Sequence, residues 1–133
     1  MNNQPPTAPP IRSSDGFPDS PTWPHVLKFA LRMEAKLEKN RHKGNREGWL
    51  QDDADELLER LRQELIELDT AMCIAVGRMT EGESNARWAA ENVANEAADV
   101  ANFALFLADW HLSRAQESGN AKASDHADSE RGA

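Results

Sequence analysis

A chain of 133 residues has room for one small domain. Its net charge of −8 excludes the basic field of a nucleic-acid binder, and its single cysteine, Cys73, excludes an internal disulfide. No apolar run approaches the roughly 18 residues of a membrane span, and the N-terminus lacks the apolar stretch of a signal peptide. The expectation is a soluble cytoplasmic protein.

Residues 1–21 are rich in Pro, Asn, Ser and Asp and are expected to be disordered. The first helix is predicted from Thr22, a good N-cap, with Pro24 tolerated in the first turn. Val26, Leu27, Ala30, Met33 and Leu37 recur at helical spacing, and the pattern fades at Lys39-Asn40. A basic loop with two glycines follows, Arg41 to Gly48. The second helix starts near Asp52 or Asp53, acids suited to a helix N-terminus. Leu57, Leu58, Leu61, Leu65, Leu68, Met72, Ala75 and Val76 form its apolar stripe, Cys73 reads as a small core residue, and Gly77 is a plausible C-cap. After a turn at Thr80 to Ser84, a third helix is predicted from about Asn85 to Ser113. Its middle, Ala97 to Ala108, is apolar on nearly every face except at Asp99 and Asn102. A helix apolar all round is buried on more than one side. In so small a protein the second surface is expected from another subunit. From Ala115 the chain is polar and reads as a solvated, disordered tail. The fold class expected is all-α: an antiparallel helical bundle of three main helices over residues 22–114, completed by oligomerisation.

Two acidic pairs stand out. Glu64 and Glu67 are three apart on the second helix, and Glu96 and Asp99 three apart on the third, so each pair shares a helix face. A short connection packs the two helices antiparallel and lets the pairs face each other. One Glu-x-x-Glu usually marks a solvated face. These two pairs instead border apolar stripes. Carboxylates gathered at a half-buried seam repel one another and resist ionisation. No basic residue lies on the third helix between Arg87 and Arg114, and Arg60 and Arg62 serve only one side. A hard divalent cation, which prefers oxygen ligands, is the better compensator. Spacing alone leaves a solvated face and a cation site equally open.

Gln63-Glu64-Leu65-Ile66-Glu67 followed by Glu96-Ala97-Ala98-Asp99 resembles the signature of the all-α nucleoside triphosphate pyrophosphohydrolases, the MazG-like and dimeric dUTPase group. Asp99-Val100-Ala101-Asn102-Phe103 and the upstream Asn40-Arg41-His42-Lys43-Gly44 with Trp49 extend the likeness, which spans about Trp23 to Asp109. The resemblance implies a homodimer or homotetramer. It implies hydrolysis of a (d)NTP or related nucleotide to a nucleoside monophosphate and pyrophosphate. Glu64, Glu67, Glu96 and Asp99 become ligands of Mg2+, or of Mn2+ in its place, with Glu64 and Glu67 catalytic. Lys43 and Arg46 are placed to meet phosphates, Trp49 to stack on the base and Asn102 to contact the nucleotide. Each has a structural alternative: a core anchor for Trp49, solvation or pairing with acids for Lys43 and Arg46, a helix–helix hydrogen bond for Asn102. The signature departs at its first position, where Gln63 stands for Glu. That substitution feeds a second reading, a catalytically weak helical oligomer that binds a nucleotide or a protein.

Overall fold

The fold is all-α. A computed structural model describes residues 21–78 and 80–131, with side chains through 123, so the tail expected at 1–21 lies almost wholly outside the described residues. Four α-helices follow in order, with no strand among the described residues: α1 Trp23–Lys39, α2 Arg46–Gln51, α3 Ala54–Arg78 and α4 Glu83–Arg131. α1 opens where expected, the Thr22 carbonyl accepting the N–H groups of His25 and Val26. A 3-10 turn, Arg41–Lys43, links α1 towards α2.

α4 is the common partner: α1, α2 and α3 all pack on it, α3 most extensively. Contacts between α3 and α4 form a ladder. Leu57 clusters with Phe103 and Phe106, Arg60 lies over Phe103, and Arg78 lies over Trp88. Numbers fall along one helix as they rise along the other, so the pair is antiparallel. Leu57 is fully buried and anchors the core, with Leu37, Trp49, Leu61, Leu107 and Trp110 packed around it.

The structure corrects four local expectations. The stretch between α1 and α3 is not an open loop but contains the 3-10 turn and α2. This segment is strapped to α4: Trp49 stacks on Phe106 with ring centroids 4.3 Å apart, and its Nε1 donates to Asp109 Oδ2 at 3.0 Å. Arg46 donates to both Asp109 oxygens at 2.9 Å, and Trp110 Nε1 donates to the Asp52 carbonyl at 2.9 Å. Gly77 is not a cap, because α3 continues through Arg78; the positive-φ glycine of the following turn is Gly82, at 118°. Cys73 is exposed, on a flank of α3 where Met72 and Val76 are exposed too. Finally, α4 does not stop near Ser113. It runs to Arg131, and residues 115–123 are solvated but helical. Ala, Gln, Glu and Lys are good helix formers, and extending a helix already nucleated is far easier than starting one.

The Asp109 strap yields a prediction. Asp109→Ala removes the acceptor of both Arg46 and Trp49, so hydrogen exchange in residues 46–51 is expected to quicken while that of α3 is unchanged. Equal exchange in wild type and variant contradicts a strap centred on Asp109.

Candidate metal centre

α3 and α4 meet midway along their ladder at the acidic residues. Glu64, Glu96 and Asp99 each present a carboxylate oxygen, and these lie within 4.8 Å of one another. All three are half-buried. Glu67 is more exposed and stands outside this triad, one turn along α3 from Glu64. The i, i+3 spacing therefore gathers three of the four acids tightly and leaves the fourth at the rim.

Burial pushes the Glu64 carboxyl up to about 7, helped by the negative charges of Glu67, Asp99 and Glu96 and by the hydrogen bond to Glu67. Glu96 is raised too, first by burial and then by Asp99 and Glu67, with Lys36 opposing. Lys36 is the group that sequence neighbours could not reveal. It reaches over from α1, its Nζ 2.7 Å from Asp99 Oδ2. The expectation that the acids lack a basic partner is corrected: one cation supports them, against four carboxylates. The deficit remains, and a hard divalent ion with oxygen ligands fits it.

Asn102, one turn beyond Asp99, brings a buried amide to the same site. It is 3 % exposed. Its Nδ2 donates to the Met33 carbonyl at 3.1 Å, while its Oδ1 is buried without a partner. A buried polar atom left unpaired is uncommon in a folded protein and asks for a donor or a cation.

Glu64, Glu67, Asp99 and Asn102 line one cavity of about 610 Å3, whose apolar wall is built from Leu37, Trp49, Leu57, Phe103 and Phe106. Lys43 and Arg46 border it from the α1–α2 segment. Three of the four residues assigned to substrate thus also hold the structural partners named as alternatives. Trp49 is a core anchor on Phe106, Arg46 is paired with Asp109, and Asn102 bridges α4 to α1. Lys43 is exposed. Gln63 is exposed as well and does not line the cavity. Asp109 gave little signal in the sequence, a lone carboxylate between Ala108 and Trp110. Arg46 holds the Asp109 carboxyl below the usual carboxylate range.

No family model, curated protein or solved structure matches this chain. No described helix is long and apolar enough to cross a membrane.

The raised Glu64 carboxyl gives a pH prediction with a definite sign. The folded state keeps a proton that the unfolded chain releases above about 4.5, so this proton stabilises the metal-free protein at low pH. That contribution is lost as pH rises from 4.5 through about 7. Thermal melts of metal-free protein are expected to fall over this window, with Glu64→Gln flattening the trend. Because proton and cation compete for the same oxygens, Mn2+ affinity is expected to rise over the same window. An affinity independent of pH contradicts the assignment.

Proposed function

We propose that this chain is a Mg2+-dependent nucleotide pyrophosphohydrolase of the MazG-like kind, cleaving a (d)NTP or related nucleotide to a monophosphate and pyrophosphate. The observation that supports it is the convergence of Glu64, Glu96 and Asp99 from two helices, oxygens within 4.8 Å, beside a cavity with basic and aromatic walls. Such a cavity suits a ligand that is anionic at one end and flat and apolar at the other. A cation bound there polarises a phosphoryl oxygen and makes water a better nucleophile at neutral pH. Glu64, Glu96 and Asp99 would hold it, with Glu67 at the rim as a fourth ligand. Glu64 and Glu67 would accept the proton that an attacking water gives up. Lys43 meets phosphate, and Trp49 and Asn102 border the nucleoside. Arg46 contributes by holding α2 in place as well as by its charge.

The assembly belongs to the same proposal: an antiparallel bundle completed by further copies as a homodimer or homotetramer, acting in the cytoplasm. Leu65, Ile66, Met72 and Val76 on α3 and Leu105 and Leu112 on α4 are all 44 % exposed or more. Apolar surface of this extent on a small domain is the usual mark of an interface. Light scattering at micromolar concentration measures the assembly state.

Two observations favour the second reading, a weak or inactive nucleotide- or protein-binding oligomer: Gln63 at the first signature position, and Lys36 already paired with Asp99. Pyrophosphate release from a panel of nucleotides, with Mg2+ and with chelator, separates the two. Turnover that chelation removes supports the enzyme; binding with no turnover of any nucleotide supports the module.

A further inference from the structure

Five basic side chains line the cavity: Lys36, Arg41, Lys43, Arg46 and Arg60. Three of them are committed, Lys36 to Asp99, Arg41 to Glu38 and Arg46 to Asp109. Lys43 and Arg60 pair with no carboxylate among the described residues. For Arg60 this runs against the local charge. Glu56 and Glu64 stand one turn away on either side of it along α3, close enough for the usual i, i+4 pairing. Its guanidinium instead lies over the Phe103 ring, 4.8 Å from the centroid. A guanidinium over an aromatic ring makes no carboxylate pair there and keeps N–H groups to donate, and these match phosphate oxygens.

Its position along the ladder gives the ligand a shape. Glu64 meets Glu96 and Asp99 on one rung. Arg60, four residues earlier on α3, meets Phe103, four residues later on α4, on the next. Four residues are about one turn, so the cationic rung lies roughly 6 Å along the seam from the acidic one. A ligand that satisfies both rungs carries negative charge at two neighbouring points.

We propose that Arg60 is a phosphate-binding residue, and that the ligand it selects is a polyphosphate with one phosphoryl group at the carboxylate rung and the next against Arg60. A monophosphate reaches only one rung and gains nothing from Arg60. This rests on the metal-centre reading for the first rung. Phe103 acts as the positioning residue, holding the guanidinium over its ring rather than against Glu64.

Calorimetry on the full chain separates this proposal from the reading beneath it. Mn2+ is titrated into wild type and Arg60→Gln, and inorganic tripolyphosphate and inorganic phosphate are each titrated at saturating Ca2+. The expected result is equal Mn2+ affinity within about twofold and tripolyphosphate binding weakened at least about tenfold in Arg60→Gln, since a charge-assisted contact is lost. Phosphate binding changes less than about twofold. Arg60→Lys, which keeps the charge and loses the fork, recovers part of the loss. Wild-type Mn2+ binding with tripolyphosphate affinity unaltered in Arg60→Gln overturns the role of Arg60 alone. So does an equal loss for phosphate and tripolyphosphate, which marks a general charge effect. Absence of Mn2+ binding in wild type overturns the metal centre and the polyphosphate proposal with it.

Discussion

Glu64→Gln is expected to lower turnover at least a hundredfold and leave the fold intact. Glu64 is the acid most affected by its neighbours: burial, Glu67, Asp99 and Glu96 all oppose its charge. Glutamine keeps its shape and removes the repulsion, so the metal-free variant is expected to melt no lower than wild type above pH 7. The same change removes one ligand of the triad. Groups that merely orient a ligand typically matter 10–100-fold for metal affinity or activity, and a direct ligand matters at least as much. Pyrophosphate release and thermal melts on one preparation check both halves. Loss of activity accompanied by loss of helix content instead makes Glu64 a structural residue.

Leu57→Ala is expected to have the largest effect on stability. Leu57 is fully buried and holds the contact between α3 and the Phe103–Phe106 pair, which meet edge-on at 5.2 Å. Truncating a buried leucine costs about 2–5 kcal/mol, depending on how far the site collapses. In a domain of this size that lowers Tm by about 10 °C or more. The damage reaches the site, because Leu57 and Phe103 both line the cavity and Phe103 carries Arg60. Urea unfolding measures it: the midpoint falls while the slope stays the same. A change below about 1 kcal/mol places the core elsewhere.

Much of this was legible in the sequence, for local reasons. α1 and α3 announce themselves by apolar residues at helical spacing, and the two acidic pairs by their place beside those stripes. What escaped depends on residues far apart in the chain. Lys36 lies 63 positions from the Asp99 it neutralises, and no inspection of the acids' own helices finds it. α2 starts two residues after Gly44 and contains Gly48, and at six residues it is too short to show a period; it is held by Asp109 and Phe106, not by its own propensity. The extension of α4 past Ser113 was concealed by polarity, since a solvated helix carries no apolar stripe. The apolar stripe on α3 was readable but wider than one chain covers. Leu57 is buried, whereas Leu65 and Met72 of the same stripe are 54 % and 52 % exposed.

Whether the acids of α3 and α4 form a cation site is decided by a Mn2+ titration followed by electron paramagnetic resonance near pH 8. Wild type is expected to bind Mn2+ that Mg2+ displaces, with affinity at least about tenfold weaker in Glu64→Gln. Wild-type protein that leaves all added Mn2+ free, or a Glu64→Gln variant that binds it equally well, contradicts the claim.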